Sequence, residues 1–592
     1  MNISYYDLAV LVSYFILMLV IGWVTRKYVV NTSDYFRGGG QMLWWMTGAT
    51  AFMTQFSAWS FTGAASKAYT DGPIILTIFL ANALGFFISY CYFAPKLRQL
   101  RVITPVQAVR QRFGKVNEQF FTWLFIPTNL LYAGIWLNGL AVFLSAVFGI
   151  PLQFTIIVTG FIVMFYSAAG GSWAVVMSDF MQTLLLMLIA VTTAIFALIA
   201  VGGPVELIER FPAQNIVLGN NYSYPMLIIA WMVFIFIKQF VSTNNIMEAS
   251  RYLTAKDSRN AGKAALMASM LMIFGPVIWF IPPMSAQVLY PDLETLFPQL
   301  GNRASEAAYV VTAMNKLPIG MMGLLIAGMF AATMSSMDSG LNRNAGIFVK
   351  NFYLPVLRTS ASEREQMVVS KLTSVLLGFG IIGVSLWYST LKDLGLFDLM
   401  LQFSSLVGLP ITIPLVLMIV VKRTPDWAGW STVVLGFFIS LMVKTVFSGA
   451  RLSEIYDLGF TAREISEYDT MLGIAANVIL LPLFFFATRF FYREPKADRA
   501  AELKTYWDNL GRPALASENT ANTDSRQGSV LGALATFYGF FLVLLCIVIP
   551  NDWIGRLVFV LCGCALFALA YALWRSTRPR RDEPSAAPQA GR

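Results

Sequence analysis

The chain has 592 residues, 57% of them hydrophobic and 12% charged, with a formal net charge of +10. A soluble protein of this length would be several domains carrying about twice that charged fraction, so the composition excludes an ordinary soluble enzyme or binding module. There is no histidine, which removes Ser-His-Asp and Cys-His catalysis, His-ligated metals and His proton relays together.

Apolar runs of about 20 residues recur along most of the chain, the signal of transmembrane helices. The short alternating strands of an outer-membrane barrel are missing from the pattern. The expected fold class is therefore an all-α polytopic membrane protein. Numbered from the N-terminus, the spans fall at approximately 5–24, 44–69, 74–94, 119–148, 152–168, 174–201, 225–247 and 264–289. They continue at approximately 318–340, 371–390, 396–421, 427–447, 471–490, 530–549 and 553–574, about fifteen in all. No positive residue precedes span 1, whereas Arg26 and Lys27 follow it. That argues against a cleaved signal peptide and puts the N-terminus outside. Roughly 32 of the 42 Lys and Arg then fall on one side and about 6 on the other. The basic loops 96–115, 251–263 and 343–371 are cytoplasmic on this reading, as is a C-terminus bearing Arg575, Arg578, Arg580 and Arg581. The positive charge marks a membrane face rather than a nucleic-acid partner. The expected location is the plasma (inner) membrane.

Loops at about 202–224, 290–317 and 448–470 are external and modestly acidic. Segment 491–529 is rich in Ser, Asn, Asp and basic residues and reads as a flexible cytoplasmic linker. Spans 14 and 15 read as an appended hairpin, and the tail after Arg581 as disordered. Cys91, Cys546, Cys562 and Cys564 all sit in apolar runs, with no disulfide or zinc spacing.

Several spans are not plain lipid-facing helices. Span 2 carries Thr54, Gln55, Ser57, Ser60, Thr62 and Gly63 at its centre. A Gln at that depth is costly unless it faces protein or a water-filled cavity. Span 7 ends K-Q-F-V-S-T-N-N, with Asn244 and Asn245 adjacent. Two polar breaks five spans apart, an odd offset that reverses direction, point to inverted five-helix repeats with a binding site at the breaks. The alternative is coincidence, since most polytopic proteins hold a few polar helices. Asp179 lies about two turns into span 6; an intramembrane carboxylate is either functional or bonded to a neighbouring helix. Lys67, Lys444 and Arg556 lie near span ends and can snorkel. Lys238 is deeper. Either Lys67 or Lys238 could pair with a solute carboxylate.

Span 9 closes on G-M-F-A-A-T-M-S-S-M-D-S-G-L-N, residues 328–342. Helical geometry turns the Ala332 carbonyl toward the hydroxyls of Ser335 and Ser336, with Asp338 and Ser339 repeating the spacing. Neutral oxygens with one carboxylate suit a hard cation such as Na+. Small polar residues also let helices pack closely in lipid, so both readings stand.

The chain resembles the sodium/solute symporter family, relatives of the sodium/glucose cotransporters. The resemblance rests on R-G-G-G-Q-M-L-W-W before span 2, I-T-P-V-Q-A-V-R-Q-R-F-G after span 3 and Y-S-A-A-G-G-S-W-A-V-V-M-S-D-F-M-Q into span 6. It continues with S-R-Y-L-T-A-K after span 7 and A-A-T-M-S-S-M-D-S-G-L-N in span 9, over about residues 1–490. It implies leucine-transporter-like inverted repeats in a ten-helix transport core at 44–421. That core follows an N-terminal helix and loop at 1–43. Additional helices occupy 422–490, then the linker 491–529, the hairpin 530–574 and the tail 575–592. It implies a Na+ site made by the carbonyls of Met53, Phe56 and Ala332 and the hydroxyls of Ser335 and Ser336. A second Na+ site of some members matches Asp179, Ser335, Asp338 and Ser339; members with that site usually have Ser where this chain has Asp338. The solute positions implied are Trp59, Ser60, Phe79, Asn82, Asn244 and Asn245, beside Gln55. Phe79 replaces an acidic residue that sugar carriers use, which weakens a sugar assignment.

The expected function is sodium-coupled symport of a small polar organic solute (a sugar or polyol, organic acid or amino acid) by alternating access. The expected partners are Na+, the solute and the lipid bilayer. The alternatives are a solute sensor on the same fold, for which the linker and tail are too short, and a membrane enzyme, for which no nucleophile or metal motif exists.

Overall fold

The computed structural model describes residues 3–25, 40–169, 172–216, 223–247, 249–391, 395–518 and 524–577. Arg26, Lys27 and the basic tail beyond Thr577 lie outside the described residues. Every one of the expected spans is helical. Among the described residues, twelve helices are long and apolar enough to cross a membrane, and two shorter apolar helices, Tyr5–Val20 and Leu152–Met164, accompany them. The difference from fifteen arises at span 2. Its first half, Trp44–Thr54, stops short, and its second half runs on through Asp71 and a tight turn at Gly72–Ile75 into span 3.

Spans 2, 3, 7 and 8 pack on one another, Trp44–Thr54 against Ser258–Trp279 and Leu76–Ile88 against Pro225–Asn244. Gly85 permits the second contact: a Cβ there would lie 2.3 Å from Thr243 Oγ1. Span 9, Met321–Ile347, runs through the middle of the protein and packs on spans 1, 4, 6 and 10. Its central window is entirely buried, unlike that of any other candidate span. Small residues are what allow so many helices to touch one. Around this centre, large apolar side chains such as Leu19, Phe274, Leu376, Phe438 and Leu483 stay exposed, as a lipid-facing surface requires.

Both polar breaks read from the sequence are breaks in the chain's helices. Span 2 is interrupted at Gln55–Ser57, and span 7 ends at Asn244 with Asn245 extended, before a short helix at Ala249–Leu253. Arg251, just past the second break, donates to the Ala51 carbonyl at 3.0 Å, inside the first half of span 2. The short helix after the second break is thereby bonded to the first half of span 2.

Span 4 begins with a capping box. Thr104 Oγ1 accepts from the Gln107 amide, and the Gln107 side chain accepts from the Thr104 amide. The resulting helix, Pro105–Phe148, is 44 residues, about 66 Å and too long for a bilayer. It bends at Gly114, whose φ of 81° is left-handed territory, so the first turns lie apart from the membrane-crossing part.

Two expectations are corrected here. Segment 491–529 is not simply a flexible linker: Ala497–Gly511 is a helix with Tyr506 buried and its hydroxyl donating to the Met418 carbonyl at 3.2 Å. Arg499 pairs with Asp426 at 2.9 Å, and Lys96 donates to the Leu510 carbonyl at 2.7 Å. Its polar composition conceals one amphipathic face that docks below spans 3, 4 and 11. Nor does Lys67 snorkel. It pairs with Asp71 and, at 3.2 Å, with Glu467 of span 13, while Arg463 reaches Asp71 at 3.2 Å. Nothing local in the sequence marks a partner 400 residues away.

Spans 14 and 15 pack mainly on each other. They attach where span 9 begins, through Ile319 and Asn551, which exchange hydrogen bonds of 3.1 and 2.9 Å.

Candidate functional site

The break in span 2 exposes backbone. Ser57 is extended (φ −147°, ψ 179°), and its side chain accepts from the Trp59 amide at 3.3 Å, capping the second half. The Ala58 amide donates to Thr333 Oγ1 of span 9 at 3.3 Å. At the helix end the Met53 carbonyl accepts from the Phe56 amide at 3.1 Å, and both it and the Phe56 carbonyl also face span 9.

There they meet Ser336. Its hydroxyl lies 3.4 Å from the Met53 carbonyl, 3.2 Å from Phe56 and 3.3 Å from Ala332. A hydroxyl has one proton and can satisfy one of three acceptors at a time. The lone pairs left over on these buried neutral oxygens have the chemistry that a small hard cation fills. The Ser335 hydroxyl is buried with no hydrogen-bond partner, which fits the same donor set.

A second group of orphaned oxygens lies next to the first. Asp179 is fully buried, and neither carboxylate oxygen has a hydrogen-bond partner. The hydroxyls of Ser335 and Thr50 approach it, and neither has a hydrogen-bond partner elsewhere. Asp338 is buried at 3% exposure. The side chain of Ser339 lies outside the described residues. Thr50 was missed in the sequence, where it is one of four threonines in span 2 and nothing sets it apart. Among the described residues no cluster of His, Cys, Asp and Glu could hold a transition metal.

The other side of the break opens on a cavity of about 200 Å³ bounded by spans 2, 3, 4, 7, 9 and 11. Gln55, Trp59, Phe79, Asn82 and Asn245 line it. Asn82 Oδ1 has no partner of its own. Asn245 is held by its own helix, donating to the Ser242 carbonyl at 2.6 Å and accepting from the Met247 amide at 2.9 Å. Ser60 and Asn244 do not line the cavity. Ser60 is 2% exposed with an unpartnered hydroxyl, and Asn244 donates to the Gly85 carbonyl at 3.1 Å, tying span 7 to span 3.

The remaining walls were not singled out from the sequence. Asn129, Tyr132 and Trp136 come from one face of span 4, with spacings of three and four. Ser404, Gly408 and Thr412 come from span 11, where a wide helical turn at Ser404–Gly408 breaks the regular ladder. The only local signals were Asn129 in mid-span and Gly408 two residues before Pro410. Lys238, singled out for its depth, also lines the cavity, as does Arg343.

Beyond Trp59, toward the face read as external, the second half of span 2 is knitted to its surroundings. Trp59 Nε1 donates to the Leu396 carbonyl at 2.9 Å, and its ring stacks on Phe397 at 5.9 Å. Glu306 accepts from the Leu396 amide at 2.8 Å and pairs with Arg303 at 2.8 Å. Ser66 and Ser305 share a 2.6 Å hydrogen bond.

Comparison with known proteins gives a consistent picture. A model of the sodium:solute symporter family matches residues 35–436. The chain is 27% identical to the sodium/sialic acid symporter SiaT of Proteus mirabilis (strain HI4320) over 497 residues, 82% of this chain and 96% of that one. It is 28% identical to sodium/myo-inositol cotransporter 2 of Sus scrofa over 477 residues, 74% of this chain and 69% of that one. The fold matches a solved substrate-bound, outward-open structure of a Na+-coupled sialic acid symporter. The TM-score is 0.63 at 24% identity, covering 81% of this chain and 98% of that one.

Proposed function

Because the chain belongs to the sodium:solute symporter family, it is an integral membrane transporter that couples Na+ to a small solute, and we propose which of its residues hold each. Na+ sits between the break in span 2 and span 9, on the carbonyls of Met53, Phe56 and Ala332 and the hydroxyls of Ser335 and Ser336. The observation that carries this is the single Ser336 hydroxyl facing three carbonyl oxygens from two spans. Asp179, with its two orphaned oxygens, Ser335 and Thr50 form a second cation position beside it. The solute occupies the cavity walled by Gln55, Trp59, Phe79, Asn82 and Asn245.

Na+ at this position bonds both halves of the break to span 9. That favours the arrangement of span 2 in which the cavity is formed, so Na+ and solute stabilise each other. Alternating access then consists of making and breaking the contacts beyond Trp59. By the bias of Lys and Arg, those contacts lie on the external side and both cation positions nearer the cytoplasm. One positive charge moving down the potential contributes about 2.3 kcal/mol per 100 mV, about fiftyfold in solute accumulation. The segment 44–421 serves as the transport core, with the hairpin 530–574 an attachment.

The test uses proteoliposomes with an imposed Na+ gradient and labelled myo-inositol, glucose and sialic acid, the solutes of the relatives. A Na+ titration of thermal stability runs alongside. Ser335→Ala combined with Ser336→Ala is expected to raise the Na+ requirement at least about tenfold, ~1.4 kcal/mol. An unchanged Na+ titration rules out this site.

A further inference from the structure

The solute cavity is lined by two basic side chains, Lys238 and Arg343, and by no Asp or Glu. Lys238 lies inside span 7, two helical turns before Asn245, and both project to the cavity with Ser242 between them. The lysine is 6% exposed. Its ammonium makes a long hydrogen bond, 3.4 Å to the Oε1 of neighbouring Gln239, and no carboxylate lies within ion-pair distance among the described residues. An ammonium in such a place is costly unless a counter-charge joins it. A second lysine of the spans shows the contrast, since Lys67 is answered by Asp71 and Glu467.

Resting on the assignment of the cavity to the solute, we propose that Lys238 is the anchor for a carboxylate on that solute, which is therefore a small organic anion. The walls of Trp59, Phe79 and Tyr132 take the less polar body of the molecule, and Asn82 with its orphaned oxygen takes a hydrogen-bond donor on it. A neutral solute would leave Lys238 buried without a counter-charge in both the empty and loaded states.

Thermal stability of the purified full-length protein, in Na+ and in K+, with matched acid and neutral probes tests this. The pairs are glucuronate against glucose, lactate against propane-1,2-diol, nicotinate against nicotinamide and phenylacetate against phenylacetamide. At least one carboxylate is expected to stabilise the wild type in Na+ more than its neutral partner. Lys238→Gln should weaken that carboxylate at least about tenfold, and Lys238→Arg should retain most of the binding. The proposal is overturned if only neutral members bind, if no carboxylate of the panel binds, or if carboxylate binding survives Lys238→Gln. Stabilisation by Na+ alone reports separately on the symport reading. Its loss in wild type sinks that reading, whereas its loss only in Lys238→Gln assigns the lysine to the fold and overturns the anchor.

Discussion

The oxygen cluster proposed for Na+ and the cavity proposed for the solute meet at the break in span 2, yet they are made of different materials. The cluster is mostly backbone: carbonyls released where a helix stops, closed by short hydroxyls of one other helix. The cavity is mostly side chain, gathered from six spans. Backbone oxygens at a break are placed by local geometry and tolerate change in the residues that carry them. Side-chain walls depend on identity, position by position. The first kind of site suits an ion that never changes, and the second suits a solute that can differ between relatives.

Two changes separate the two regions and a third lies outside both, in decreasing order of expected effect. Gly139 of span 4 lies against the span 2 backbone just after the break: a Cβ there would be 3.0 Å from Trp59 N and 3.2 Å from Trp59 Cα. Gly139→Val should displace that backbone, with overpacking on the order of 1–3 kcal/mol. Because the displaced atoms are backbone, the Na+ titration should weaken together with solute uptake. Loss of solute uptake with an unaltered Na+ titration would show that the two regions are mechanically separate. Asn82→Ala acts on a wall and leaves the break alone. Here the solute KM in proteoliposomes should rise about threefold to tenfold, one hydrogen bond's worth, with the Na+ requirement unchanged. A shifted Na+ requirement would contradict the division drawn above.

The smallest effect comes from a contact remote from both regions. The Arg101 guanidinium, 2.8 Å away, holds the Glu518 carboxyl down at about 2, from an ordinary value of 4.5. A lowered folded-state value contributes stability above the unfolded value and loses it as pH falls from about 4.5 through about 2. Both side chains are partly exposed, so the loss should be slight and reduced by salt. Melting curves of wild type and Glu518→Gln should converge as pH drops through that window. An equal gap at every pH would remove the pair as its cause.

What could be read from the chain follows the same division. The breaks at Gln55–Ser57 and Asn245 were legible because a polar residue in mid-membrane has no cheap explanation except a site. The Ser336 hydroxyl was legible because helical spacing alone sets it against the Ala332 carbonyl. Thr50 was not, since only packing of span 2 on span 6 brings it to Asp179. Nor were Asn129, Tyr132 and Ser404, which matter through neighbours 50 to 350 residues away in the chain. The helix at Ala497–Gly511 was hidden for a similar reason: polar composition says nothing of the single buried face that Tyr506 and Leu510 supply.

By itself, then, the sequence determined the membrane class, the run of spans, the two interruptions and the chemistry gathered around span 9. Each of these depends on hydrophobicity or on helical spacing, which are properties of short stretches. The tertiary structure alone decided which oxygens gather at the break, which side chains wall the cavity, and that Lys67 is ion-paired while Lys238 lines the cavity. Those are relations between spans, and in a bilayer they are set by close packing of small residues and by the partners that buried polar groups find.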